Sequence, residues 1–235
     1  MNKSPTNIKL PSYLLEGDFA KISKRFYSIC NDPFKDASKP NTIKLLFTRH
    51  TFKINDELRQ GHCSQYLADF ALNKSLSFSI GLIGRVLKLP NDTATNLLII
   101  AQGTGIAPFL SILDRISYSE NHKNSTKVKM VYGVRDNHAN MIHKASVENF
   151  FSSQSEIEGK KQHELVVACS RDIDECQNSI ASNITYERGY VQDCISKLDL
   201  SGIDQSNTHV LICGNKNALG GSALRALPFE QDQID

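Results

Sequence analysis

The sequence predicts an α/β plus β protein: a strand-rich segment over residues 1–92, then a doubly wound parallel sheet over residues 93–235. Two observations carry this expectation. From residue 96 onward, short apolar runs alternate with helix-spaced patterns, the order that builds parallel strands joined by crossover helices. The four runs stop at Gly103, Gly133, Ser170 and Gly214, and ligands of such sheets gather beyond the carboxyl ends of the strands.

In the first segment, Leu10–Ala20 is a weakly patterned lead-in. Lys24–Ile29 alternates as a strand does, and Asn31-Asp32-Pro33 after it is turn chemistry. Ile43–His50 is a second strand candidate. Gly61 precedes a helix pattern that turns Leu67 and Phe70 inward. Phe78–Leu89 alternates loosely, with Gly81 and Gly84 placed as bulges, and Pro90-Asn91-Asp92-Thr93 reads as a hinge.

The second segment opens on Leu97–Ala101, an apolar run suited to a strand buried on both faces. Gly103-Thr104-Gly105 then turns the chain and lets a polar ligand touch backbone. Ile106–Ile116 is a helix with Ile106, Phe109, Leu110, Leu113 and Ile116 on one face, and Pro108 in its first turn, where a missing N–H costs little. Strand, glycine turn and helix together aim free N–H groups at an anion such as a phosphate. Ser117–Thr126 is a polar loop, Lys127–Asp136 a second buried strand and Met141–Phe151 a helix. His163–Ser170 is a third strand, Ile173–Glu187 a polar spacer expected to bulge outward as a loop, and Asn207–Gly214 a fourth strand.

Composition narrows the function. With 235 residues the chain has room for one large or two modest domains, and 40% hydrophobic with 22% charged residues is ordinary for a soluble globular protein. A net charge of +2 without a Lys/Arg block (Lys160-Lys161 reads as a solvated loop) leaves no footprint for nucleic acid or a membrane surface. The start lacks the apolar core of a signal peptide, and no run approaches the roughly 18 apolar residues of a membrane span. Cys30, Cys63, Cys169, Cys176, Cys194 and Cys213 form no Cys-x-x-Cys pair, and the histidines do not cluster, so no metal site is expected and reduced cytoplasmic thiols are. Glycosylation-like triplets at Asn2, Asn73, Asn91, Asn124 and Asn183 are read as chance in a chain of this kind.

The string Gly103-Thr104-Gly105-Ile106-Ala107-Pro108-Phe109 resembles the NADP-domain loop of the ferredoxin–NADP reductase superfamily. Other motifs follow in that family's order. Arg25-Phe26-Tyr27-Ser28 looks like its flavin-binding strand. An arginine there reaches a pyrophosphate, a tyrosine face covers the isoalloxazine, and a serine hydroxyl bonds the flavin N5 edge. Read alone, the four residues favour a plain surface strand with a salt-bridging arginine. Gly61-His62-Cys63-Ser64 resembles the segment that meets the FAD pyrophosphate, and the same residues also fit a capped helix with a buried cysteine. Gly84–Pro90 resembles the last barrel strand, and Tyr132-Gly133-Val134-Arg135 the family's Tyr-Gly-x-Arg.

Ser170-Arg171, then Arg188, then Tyr190-Val191-Gln192 resemble the part of NADPH-using members that holds the adenosine 2′-phosphate and its ring. A dianionic phosphate suits a guanidinium fork and hydroxyl donors, and an adenine suits an aromatic face. Cys213-Gly214-Asn215 resembles the Cys-Gly-Asp/Asn element, whose cysteine lies where hydride passes. A lone buried cysteine is by itself as consistent with packing.

The resemblance runs from Arg25 to Asn215 and leans towards diflavin reductases: sulfite reductase flavoprotein, methionine synthase reductase, cytochrome reductases and the iron–sulfur assembly enzyme. It implies a partial antiparallel flavin-binding barrel over 1–92 and a doubly wound NADP-binding sheet over 93–235. Ser28 and Cys213 would flank hydride transfer. FAD would be held through Arg25, Tyr27, Ser28, Gly61, Cys63 and Ser64. NADPH would be held through Gly103, Thr104, Gly105, Arg135, Ser170, Arg171, Arg188, Tyr190, Gln192 and Gly214. An FMN-binding flavodoxin-like domain or another carrier protein would take the electrons. Few residues precede Arg25, no flavodoxin-like half is present, no tryptophan occurs, and little follows Asn215, so shortening at both ends is expected. A non-catalytic nucleotide-binding relative and a single-flavin ferredoxin–NADP reductase are the alternatives.

Overall fold

The computed structural model describes residues 25–32, 35, 42–70, 95–123, 125–135, 141–153, 163–171, 181–201 and 203–215. The lead-in at 10–20, the strand at 78–89, the hinge at 90–93, most of the 173–187 spacer, Lys160-Lys161 and Cys176 lie outside them.

Five parallel strands form the main sheet: β3 (Asn96–Gln102), β4 (Lys127–Val134), β5 (His163–Cys169), β6 (Ile184–Arg188) and β7 (Thr208–Cys213). Their order is β6-β5-β4-β3-β7. The chain therefore steps one way from β3 to β6 and returns to place β7 on the other side of β3. That reversal opens a crevice beyond the carboxyl ends of β3 and β7, where α/β sheets bind ligands.

The apolar runs explain the strands. Leu97, Leu98, Ile99, Ile100 and Ala101 are all fully buried, because β3 is central and covered on both faces. Burying each larger side chain stabilises the fold by about 1.5–3 kcal/mol, so this strand anchors the sheet. One face of the sheet presents Leu97, Ile99, Met130, Tyr132, Leu165 and Val167 to α2 (Ala107–Tyr118) and α4 (Lys144–Ser152). The other presents Leu98, Ile100, Val131 and Val166 to α5 (Val191–Cys194) and the 3₁₀ turn Ile195–Lys197. On that second face Lys129 and Glu164, directly opposite in register, form a buried ion pair at 2.7 Å, and Glu164 also accepts the Asp199 N–H at 3.1 Å. The short helix α3 (Glu120–Lys123) follows α2.

Several boundaries differ from expectation for local reasons. The glycine turn is itself a 3₁₀ turn, Gly103–Ile106, and α2 starts at Ala107, with Pro108 in its first turn. α4 starts at Lys144 rather than Met141, because His143 adopts a left-handed φ of 55°. The spacer does not remain a loop: Ile184–Arg188 pairs with β5 as an edge strand, its Ile184 buried and its Tyr186 hydroxyl bonded to Glu148 of α4. Asn183, within a glycosylation-like triplet, is buried and donates to the carbonyls of Phe151 and His163.

The first half is built differently. Of the expected strands at 24–29 and 43–50, the described residues pair only through the antiparallel bridge Ile29–Leu45. The regular ladder lies later, in β1 (Thr51–Ile54) and β2 (Glu57–Gln60), every residue of which is exposed. Asn55 and Asp56 join them with φ of 49° and 64°, the two left-handed positions of a two-residue hairpin turn. The helix expected after Gly61 is present as α1 (His62–Phe70).

Polar contacts tie this half to α2, and Cys30 and Leu46 pack, partly buried, against the core. Buried Asp32 accepts from the Tyr118 hydroxyl, with Arg115 3.9 Å away, and Lys35 pairs with Asp114. All three helix partners lie on α2. Burial and the Asp32 contact push the Tyr118 phenol up to about 12, so it stays a neutral donor.

Candidate functional site

A cleft of about 980 Å³ lies at the carboxyl ends of the parallel strands, with the first half as its opposite wall. Tyr27 and Ser28 come from the first half. Gly103, Thr104 and Gly105 follow β3, Arg135 follows β4, and Ser170 and Arg171 follow β5. Tyr190 opens α5, and Cys213 and Gly214 end β7.

Each glycine of this wall has its own cause. Gly103 has φ of +53° and open space where a Cβ would point, so conformation rather than crowding selects glycine. Gly105 is selected by crowding, since a Cβ there would lie 2.2 Å from the Cys213 carbonyl oxygen and 2.8 Å from Gly214 Cα. Gly105 thereby brings β7 close against the turn and fixes the floor of the crevice. Gly133 lies inside β4, one residue before its end, and a Cβ there would meet Val191 Cγ2 at 2.3 Å. Its role is to let α5 sit against the sheet.

Tyr132, fully buried, donates from its hydroxyl to the Gly103 carbonyl at 3.2 Å, and burial raises its phenol far above the ordinary range. In a trans peptide, the carbonyl and the next N–H point opposite ways. Fixing the Gly103 carbonyl toward Tyr132 therefore turns the Thr104 N–H away from that face. No side chain caps the turn; at the start of α2 the Ala107 N–H is held by the Thr104 carbonyl and Pro108 has none, so the N–H groups open to an anion are those at the head of the turn.

At the far end of the cleft, Arg135 and Arg171 are exposed. The Ser170 hydroxyl lies 3.2 Å from the Arg135 carbonyl and donates to it. It ties the ends of β4 and β5 and has to rotate before it can donate to a ligand phosphate. Gly189, at φ of +145°, bends the chain after β6 and donates to the Cys169 carbonyl at 2.9 Å. Tyr190 then stands 58% exposed, its N–H held by Asp193 Oδ2 at 3.2 Å, which leaves its ring open to the cleft.

At the near end, the Tyr27 hydroxyl meets Cys63 Sγ at 3.2 Å and its ring packs edge-on to Phe47. Burial, then the Cys63 contact, pushes Tyr27 up to about 12. Burial also raises the Cys213 thiol, so it is protonated at neutral pH and suited to contact rather than to nucleophilic attack.

Of the residues singled out in the sequence, Tyr27, Ser28, Gly103, Thr104, Gly105, Arg135, Ser170, Arg171, Tyr190, Cys213 and Gly214 share this cleft. Arg25, Gly61, Cys63, Ser64, Arg188 and Gln192 do not line it. Cys63 reaches it through Tyr27. Ser64 Oγ accepts the His50 N–H at 3.0 Å and donates to the Gly61 carbonyl at 3.1 Å, closing the loop around the hairpin. Arg188 is exposed on the edge strand. Gln102, which also lines the cleft, was visible in the sequence only as the polar end of an apolar run. Tyr132 was named there for its motif, not for its bond to the turn.

Residues 99–220 match the family model described as "Oxidoreductase NAD-binding domain". The chain is 28% identical over 196 residues to a ferredoxin–NADP reductase of Picosynechococcus, covering 82% of this chain and 46% of that one. It is 28% identical to a ferredoxin–NADP reductase of Spirulina, covering 84% of this chain and 64% of that one. The chain thus spans about half to two thirds of the length of these relatives. Among solved structures, the cytochrome b5 reductase domain of Ulva prolifera nitrate reductase superposes with a TM-score of 0.58 at 16% identity, covering 82% of this chain and 72% of that one. That likeness concerns the fold. No helix among the described residues is long and apolar enough to cross a membrane.

Proposed function

The chain belongs to the oxidoreductase NAD-binding domain family, and from that membership we propose that it is a flavoprotein reductase module acting between NADPH and FAD. One observation carries the reading: Tyr27 and Ser28 of the first half and Gly103–Gly105 and Cys213 of the second line a single cleft. When bound, NADPH supplies a hydride and FAD accepts it and releases electrons singly.

The chain's own residues supply position and charge. The uncapped N–H groups at the head of the Gly103–Ile106 turn meet a pyrophosphate. Arg171, with Arg135 beside it in the wall, meets the 2′-phosphate, and the open Tyr190 ring covers the adenine. Tyr27, kept neutral, offers its face to the flavin, while Ser28 and the protonated Cys213 flank the point of transfer. The acceptor is a ferredoxin-type carrier, as the relatives' names indicate, or an FMN-binding flavodoxin-like domain.

The test is direct. Protein purified or titrated with FAD is expected to turn yellow, with absorbance near about 450 nm, and to drive NADPH-dependent ferricyanide reduction. Protein that binds NADP⁺ and takes up no FAD would favour a second reading, a nucleotide-binding module without a flavin. That reading is favoured by Gly61 and Ser64 lying outside the cleft and by the sparse strand pairing of the described first half.

A further inference from the structure

Tyr132 lies on the sheet face that α2 and α4 cover, fully buried in the apolar cluster there. A phenylalanine would fill the same space and spare the fold a hydroxyl to desolvate. The hydroxyl is nevertheless partnered. It donates to the Gly103 carbonyl at 3.2 Å and has the Ile142 N–H as a second hydrogen-bonding neighbour. Both partners line the cleft, Gly103 just after β3 and Ile142 just before α4, whereas Tyr132 does not line it. One oxygen beneath the cleft thus joins two lengths of its wall.

What that junction fixes follows from the hydrogen bonding of the turn. In a 3₁₀ turn each N–H pairs with the carbonyl three residues back. Across Gly103–Ile106 the N–H groups from Gly105 onward are therefore taken up within the turn, as the Ala107 N–H is by the Thr104 carbonyl. The Thr104 N–H is left over, and it belongs to the same peptide as the Gly103 carbonyl. A peptide is planar, so a hold on its carbonyl is a hold on its N–H. The hold matters at this position because Gly103, at φ of +53° with nothing within 4 Å of where a Cβ would point, has no side chain to restrain it. We infer that the Tyr132 hydroxyl is a positioning group for a pyrophosphate: by fixing the Gly103–Thr104 peptide it keeps the Thr104 N–H aimed at a phosphate oxygen of the dinucleotide before the ligand arrives. Binding is then stronger because less ordering remains to be done. The inference rests on the dinucleotide reading given above, and Tyr132 itself touches no ligand atom.

The experiment is titration of the full chain and of Tyr132→Phe with two probes, NADP⁺ and adenosine 2′-monophosphate, with the backbone amides followed by NMR. The second probe keeps the adenine and the 2′-phosphate and lacks the pyrophosphate. Tyr132→Phe is expected to bind NADP⁺ about three- to tenfold more weakly and the monophosphate within about twofold of the parent. In the parent, NADP⁺ is expected to move the Thr104 amide proton downfield, as a charge-assisted hydrogen bond does, and the monophosphate to leave it in place. A general loosening of the core would weaken both probes alike, so equal weakening overturns the proposal. NADP⁺ affinity within about twofold of the parent in Tyr132→Phe overturns it and leaves the dinucleotide reading standing. A Thr104 amide in the parent that does not respond to bound NADP⁺ overturns it without any variant. Failure of Tyr132→Phe to fold also overturns it, because the hydroxyl would then serve the fold first. A parent chain that binds neither probe overturns both this proposal and the reading beneath it.

Discussion

The two halves of the molecule secure themselves by different means. In the parallel sheet, β3 and β5 are buried along nearly their whole length, and neighbours on both faces hold every side chain. In the first half, β1 and β2 are exposed throughout, Asp32 and Lys35 reach α2 through polar contacts, and Cys30 and Leu46 add a partly buried apolar contact with the sheet's core. The site draws on both. A rigid floor comes from the sheet, and the opposite wall is positioned by a few hydrogen bonds and ion pairs with a small apolar contact through Cys30 and Leu46.

The sharpest break of this contrast is Gly105→Ala. The new methyl would collide with the backbone of Cys213 and Gly214, which cannot rotate aside, so a loss of about 3 kcal/mol or more in denaturant unfolding is expected. Gly133→Ala meets side chains, Val191 Cγ2 at 2.3 Å and Gln102 Cγ at 3.4 Å, rather than backbone at that distance, and should cost less. If the two cost the same, the close approach of β7 is not what selects Gly105.

The second break uses acid. His163 is buried against Phe150, its Nδ1 accepting the Val128 N–H at 3.1 Å. Burial, reinforced by Lys129, lowers its pKa from 6.5 to about 4. The unfolded chain therefore binds a proton near pH 6.5 that the folded chain refuses until about pH 4. This contribution to stability is whole above pH 6.5 and is lost as pH falls towards 4, by on the order of 3 kcal/mol. Unfolding free energies of the parent and of His163→Asn across this range should differ in slope, and parallel curves would reject the assignment.

Two smaller effects separate wall from floor. Arg171→Ala should weaken NADPH relative to NADH by about 1.5–3 kcal/mol, read as a ratio of dissociation constants, because one charge-assisted contact to the 2′-phosphate is lost. Equal weakening of both cofactors would move the phosphate elsewhere. Tyr118→Phe removes the donor to buried Asp32 and should cost about 1–2 kcal/mol. Limited proteolysis should then cut the first half sooner while residues 95–215 stay protected. Uniform digestion would mean the two halves are secured alike.

The same contrast explains what the sequence disclosed. Leu97–Ala101, Lys127–Val134 and His163–Cys169 were legible because a strand buried on both faces carries an unbroken apolar run, here Leu97–Ala101, Met130–Val134 and Leu165–Cys169, with the polar Lys129 and Glu164 paired at their entry. β6 was hidden, since an edge strand reading Ile-Thr-Tyr-Glu-Arg looks like loop. The β1–β2 hairpin was hidden too, because Asn55-Asp56 is a weaker turn signal than Asn-Gly and its flanking strands bury nothing. Glycine positions were legible and their causes were not: Gly105 and Gly133 answer to β7 and α5, elements distant in sequence. The bond from Tyr132 to Gly103 arises only once β3 and β4 lie side by side.

The account stands on two nucleotides meeting in one cleft, and anaerobic mixing of the FAD-loaded chain with NADPH tests that meeting. Rapid loss of the flavin absorbance near about 450 nm is the predicted result. Protein that binds FAD and NADP⁺ tightly, yet keeps its flavin oxidised under NADPH, would show that the two walls do not face one another, and would contradict the account.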